Sequence, residues 1–239
     1  MTRKALIIVC PGVVNARGYL PGTIVDANNY ERFLYSYYGG DWYSYEIEVL
    51  TNPTSSTVKD KVKKIDSDYS FIVFSGHGGT GNLDDRMYID LIDEDIAITD
   101  LKTNSKWQTI IIDSCRTIFR QVLNEMELKA FSDRSIGIIS DARKKFDNHL
   151  QICEEGIITI YACAKGQAAG EDGQVGGVFS SSLIKVGRNW GKTSGVNSIL
   201  DLSDAFDSAV NIMNIDFVTT QQPELNAGRR KYYFPFSVR

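Results

Sequence analysis

Three short runs built wholly of apolar residues, at 5–9, 71–74 and 110–112, constrain this chain more than any other feature. Runs of that kind read as strands buried on both faces, and such strands belong to parallel sheets covered by helices. Segments with helical periodicity lie between them. Residues 22–38 put Val25, Tyr30, Phe33, Leu34 and Tyr37 on one side, and residues 55–65 form a short helix with Ser and Thr available to cap it. Residues 45–50 alternate and read as a second strand. Residues 87–93 and 95–99 suggest a small hairpin around an acidic turn. Strands are expected at 69–75, 107–112, 156–163 and 232–238, and helices at 118–130, 177–190 and 202–213. The polar stretch 131–151 is expected to be a long surface loop. Strand–helix alternation of this sort predicts an α/β domain on a mostly parallel sheet sandwiched by helices.

The length, 239 residues, suits a single domain. A net charge of -4 without a basic block argues against nucleic acid and leaves room for a negative cleft that attracts cations. The basic start and first apolar run superficially resemble a signal peptide, but Pro11-Gly12 interrupts too early. No run is long enough to span a membrane. The cysteines at 10, 115, 153 and 163 have no C-x-x-C spacing, so a reduced, cytoplasmic setting without thiol-bound metal is expected.

Two of the apolar runs end in reactive residues. Phe71-Ile72-Val73-Phe74 leads into Ser75-Gly76-His77-Gly78, and Ile110-Ile111-Ile112 leads into Asp113-Ser114-Cys115. In open α/β sheets, chemistry gathers at the carboxyl ends of strands. Two such ends carrying His77 and Cys115 would set a base beside a thiol, the minimum for a cysteine nucleophile. The amides of Gly78 and Cys115, in strand-to-loop turns, are candidate oxyanion donors. Taken singly, the first motif also reads as a loop and Cys115 as a small buried hydrophobe. Their order and common placement after apolar strands favour catalysis.

With those motifs in place, the chain resembles the caspase-like cysteine proteases, especially the prokaryotic, metacaspase-type members. The resemblance covers most of the chain: residues 4–10, 20–29, 74–79 and 111–116, then Tyr161 to Gln167, 176–179, Gln221-Gln222-Pro223 and Phe234-Pro235-Phe236. It implies a caspase-like fold in one domain over 1–239, with a large-subunit-like part to about residue 130, a loop at 131–151 and a small-subunit-like part at 152–239. It also implies that His77 and Cys115 are the catalytic dyad of an endopeptidase. Their separation of 38 (115 − 77) is shorter than the roughly 50 typical of caspases.

Asp-cleaving caspases carry Gln-Ala-Cys at the nucleophile, whereas this chain has Asp113-Ser114-Cys115. By the resemblance, Asp113 and Asp26 face the primary specificity pocket, where two carboxylates would select Arg or Lys and repel Asp. Asp26 also reads as a first-turn helix acid and Asp113 as a loop anchor. Cys163 and Glu171 belong to the same pocket by resemblance, although Glu171-Asp172 reads equally as an exposed acidic turn. Arg134, Arg143, Lys144 and Lys145 are candidate self-cleavage sites, or simply a basic surface loop. Asp93 and Asp95 resemble the acids that bind calcium in some relatives, or form a solvated turn; no other metal or cofactor is expected. His149 is expected to be exposed. The expected partners are a polypeptide substrate and an activating protein, in a monomer without nucleic acid or membrane, in defence or programmed cell death. A non-catalytic scaffold, a small-molecule amidase and an Asp-specific protease are the competing readings.

Overall fold

The structure, a computed structural model, describes residues 1–82, 84–116 and 140–239. The chain opens with β1 (Arg3–Cys10), α1 (Gly22–Tyr35), β2 (Ile47–Thr51), α2 (Ser55–Lys63) and β3 (Tyr69–Gly76). A small antiparallel sheet follows, made of β4 (Gly78–Thr80), β5 (Met87–Asp90) and β6 (Asp95–Ala97). Next come β7 (Trp107–Asp113), α3 (Asp141–Gln151) and β8 (Gly156–Tyr161). The short pair β9 (Glu171–Asp172) and β10 (Gly176–Gly177) precedes α4 (Val178–Thr193). The chain closes with β11 (Ile199–Asp201), α5 (Leu202–Asp216), β12 (Glu224–Asn226) and β13 (Pro235–Val238).

The main sheet runs β12-β8-β7-β3-β1-β2, and every pairing is parallel except that of β12 with β8. Its centre is the three apolar runs, and β3 and β7 are buried at every position. Side chains alternate between the faces of a strand. Ile7, Val9, Val73 and Ile111 therefore join one core with Tyr30 and Phe33 of α1, Phe146 of α3, Phe179 of α4 and Met213 of α5. Leu6, Ile8, Ile72, Phe74, Ile110 and Ile112 join the other with Val58 and Val62 of α2 and Ile89 and Ile96 of the small sheet. Each such burial is worth about 1.5–3 kcal/mol, and a one-residue slip would exchange the faces. The register is thereby fixed. Phe74 pairs with Ile112 and Ser75 with Asp113, so β3 and β7 end side by side.

The expected mostly parallel α/β architecture is what forms. Four local expectations change. The first helix stops at Tyr35, where Ser36 N–H still bonds Phe33 O and the chain turns back through Gly40 at φ 99°. Over its described part, the loop expected at 131–151 is helix α3, capped by Ser140, whose hydroxyl accepts from Arg143 N at 3.2 Å. Its polar composition hid a narrow apolar stripe, Ala142, Phe146 and Leu150, spaced one turn apart and buried. His149 sits on this helix, partly buried, with Nε2 3.1 Å from Tyr233 O, and is not a free loop residue. The last strand, expected at 232–238, begins only at Pro235 and lies outside the main sheet. β13 pairs with β11 instead, and β12, which no apolar pattern announces, takes the sheet edge.

Helix α3 is clamped by buried charge. Arg143 meets Glu46 at 2.5 and 2.8 Å, and Arg3 donates to Asp147 Oδ1 at 2.8 Å and to the carbonyls of Gly40 and Arg143 at 2.9 and 3.0 Å. The Arg3 guanidinium also lies over the Phe146 ring, 4.4 Å from its centroid. Arg143 is therefore a structural anchor, not a loop cation. Lys144 is exposed on the same helix and Lys145 bonds Asp141. Arg134 and the helix expected at 118–130 lie outside the described residues. Among the described residues, no helix is long and apolar enough to cross a membrane.

Candidate active site

An open cleft is lined by the ends of β3 and β7 and by the strap before α4. His77, Asp113, Ser114, Cys115 and Glu171 all line it. The fold thus brings both reactive residues and two of the expected pocket acids to one place.

His77 occupies the single residue between β3 and β4. Its Nε2 lies 2.6 Å from Gly18 O. A carbonyl can only accept, so the neutral ring carries its hydrogen on Nε2 and leaves the Nδ1 lone pair free of a proton. Gly18, at φ 87°, is needed for that approach, because a Cβ there would stand 3.2 Å from Nε2. Gly78 is equally constrained: a Cβ would fall 2.7 Å from Ser114 Oγ and 2.8 Å from Tyr88 O. Asp90 N donates to His77 O at 3.0 Å, which makes His77–Asp90 the hydrogen-bonded pair of the β4–β5 ladder. Gly78, opposite Ile89, then directs its N–H away from β5.

Cys115 follows the bend beyond β7 and is partly exposed, its Sγ 3.8 Å from Ala169 O. The following residue fastens this loop. Arg116 N donates to Gln167 O at 2.9 Å, Arg116 Nη1 donates to Cys163 O at 3.1 Å and pairs with Glu224, and the guanidinium lies over Tyr161. Cys163 does not line the cleft. It is fully buried, its Sγ 3.4 Å from Ser114 O and 3.3 Å from Gln167 O, and burial pushes its thiol up to about 12. That places it behind the Ser114–Cys115 loop as a support rather than in a pocket wall.

The acids differ in depth. Asp113 is buried in the cleft and accepts from Ser180 N at 3.0 Å. Asp26 lies one layer behind, accepting from Ser75 Oγ at 2.6 Å and from Gly177 N at 2.9 Å, and Ser75 and Gly177 themselves line the cleft. Burial raises Asp26 well above the usual carboxylate range, and the neighbouring Asp113 charge raises it further. Burial also holds Asp113 up at about 6, against the stabilising Ser180 contacts and with a further push from Glu171. Glu171 lies on the exposed turn of β9, accepts from Gly22 N, at the start of α1, at 2.6 Å, and its partial desolvation in the cleft raises it modestly in the same direction. The strap can pass between these carboxylates only because residues 176 and 177 are glycines. A Cβ on Gly176 would collide with Asp26, and one on Gly177 with Asp113. Among the described residues no cationic side chain pairs with Asp26, Asp113 or Glu171, and a cleft lined by such carboxylates is complementary to a cation.

Asp93 is engaged elsewhere, accepting from Ser55 N and Ser55 Oγ at 2.7 and 3.0 Å at the start of α2. Asp95 stands opposite Asp90 in the β5–β6 ladder, and the Asp90 carboxyl is raised to about 8 by burial and then by Asp95. Among the described residues, no group of three or more His, Cys, Asp or Glu side chains is placed to hold a metal ion.

Sequence reading missed Gly18, Ser75, Ser180, Tyr30 and the glycine pair. Three of these left a signal: Ser75 directly precedes Gly-His, Tyr30 falls one helical turn after Asp26, and Gly176-Gly177 opens a helix. Gly18 left none, because its role lies in a carbonyl.

A family model described as the caspase domain matches residues 2–234. The structure is similar to the crystal structure of caspase-1 from Spodoptera frugiperda, with a TM-score of 0.62 and 15% identity over 95% of this chain and 90% of that chain. At that identity the likeness speaks for the fold alone. No curated protein matches the chain in sequence.

Proposed function

The chain belongs to the caspase-domain family of cysteine peptidases, and from that premise we propose an endopeptidase that cleaves polypeptides after Arg or Lys. The observation that carries the specificity is the buried Asp113 in the cleft shared with His77 and Cys115, backed by Asp26 and flanked by Glu171. Placing a P1 carboxylate there would set like charges together in a desolvated site, whereas a guanidinium or ammonium neutralises them.

In the proposed mechanism His77 Nδ1 takes the Cys115 proton. The thiolate attacks the scissile carbonyl, and the Gly78 and Cys115 amides receive the oxyanion. The protonated His77 then gives its proton to the leaving amine, and water, deprotonated by His77, hydrolyses the thioester and frees Cys115. The Gly18 carbonyl holds the ring in the required tautomer throughout.

Reporter peptides ending in Arg, Lys, Asp or Leu, incubated with the protein with and without calcium, test the proposal. Turnover of the Arg and Lys reporters alone, abolished in Cys115→Ala, is the expected result. Preference for Asp would overturn the pocket assignment, and no turnover of any reporter would overturn the enzyme.

A further inference from the structure

Tyr30 is wholly buried on α1. It donates to Ser180 Oγ at 3.1 Å. Ser180, on the first turn of α4, is itself buried and gives its N–H to Asp113 at 3.0 Å. Tyr30 lies one helical turn beyond Asp26, so both α1 residues act on the same corner.

We propose that Tyr30 is a positioning residue for P1 recognition, locking the Ser180 hydroxyl so that its hydrogen points at Asp113. The inference rests on the Arg/Lys reading of the pocket. A serine hydroxyl has one hydrogen and a free rotor. Near the start of a helix it can also bond a carbonyl three or four residues back. Once Tyr30 donates to Ser180 Oγ, that lone-pair direction is filled and the serine hydrogen turns toward the carboxylate. The phenol would otherwise be a costly buried donor. Its ring already has a packing role against Phe71, with centroids 6.2 Å apart, that a phenylalanine would fill equally well. The oxygen is thus separable from the fold. The titratable groups around Asp113 are Asp26 and Tyr30 from α1, Glu171 from the strap, Cys163 beyond β8, and His77 and Cys115 across the cleft.

Two measurements on Tyr30→Phe test this. In wild type and variant, the Asp113 carboxyl is followed by 13C NMR against pH, its signal assigned by its loss in Asp113→Asn. In parallel, kcat and KM are measured with an Arg-ended reporter. The expected result is an upward move of the Asp113 midpoint and a KM increase of roughly two- to tenfold, the worth of one hydrogen bond, with kcat little changed. Ser180→Ala should reproduce both effects more strongly, and Ser180→Thr, which keeps the hydroxyl, should restore them; this pair carries the test if Tyr30→Phe does not fold. An unmoved midpoint overturns the inference whatever the substrate. A moved midpoint in a protein that ignores Arg and Lys reporters upholds the relay and instead removes the assigned specificity.

Discussion

Asp113→Asn should make the protein more stable and less active at the same time. The substitution keeps the side chain's shape and an acceptor for Ser180 N, which stands 3.0 Å from Oδ2, but removes the charge. A carboxyl held at about 6 by burial rather than at 3.8 costs the folded state roughly 3 kcal/mol once it is ionised. The new amide must find acceptors where a carboxylate oxygen stood, which offsets about 1–2 kcal/mol of that gain. A net stabilisation of about 1–2 kcal/mol corresponds to roughly 2–8 °C for a domain of this size. The pH dependence has a definite sign. The folded-state value is raised, so wild type loses stability as pH climbs from about 4 to about 6, and the loss is complete above that. The advantage of Asn should therefore be full at pH 7.5, shrink as pH falls through about 6, and give way toward pH 4 to a deficit of about 1–2 kcal/mol, the amide penalty alone. Thermal denaturation in a Cys115→Ala background, which prevents self-digestion, measures it. In the active background, kcat/KM for the Arg reporter should fall by about 30- to 1000-fold, mainly through KM, because a buried cation would lose its partner. A variant less stable than wild type at pH 7.5, or one that keeps Arg turnover within about threefold, refutes the reasoning.

Turnover of the Arg reporter should decline through a rising KM as pH falls through about 6, because Asp113 protonates there; alkylation of Cys115 by iodoacetamide over the same range reports the dyad without the pocket and separates the two. Gly177→Ala drives a Cβ onto the Asp113 carboxylate, so Arg turnover should drop at least about tenfold, and a variant with unchanged KM would show that the strap does not define the pocket. Glu46→Ala leaves Arg143 buried without its carboxylate and should cost about 3–5 kcal/mol by urea denaturation; a loss under about 1 kcal/mol would show that this buried pair does not clamp α3.

The residues themselves determined the sheet. Unbroken apolar runs can only be buried on both faces, and the stretches between them carry helical period, so strand type, central position and parallel pairing followed. That His77 and Cys115 would share one cleft was legible for the same reason, since each stands three residues beyond the end of such a run. The 140–151 region was not legible. A stripe of one residue per turn amid charges looks like solvent-facing loop until Arg143 finds Glu46 nearly a hundred residues away. Tertiary structure alone decided the rest. It set Asp113 in the cleft with Asp26 a layer behind, withdrew Cys163 from the wall, and supplied the Gly18 carbonyl, the Gly176-Gly177 passage and the Tyr30–Ser180 contact. Local sequence encodes period and burial, whereas the depth of a carboxylate and the tautomer of a histidine depend on which distant backbone groups come to face them.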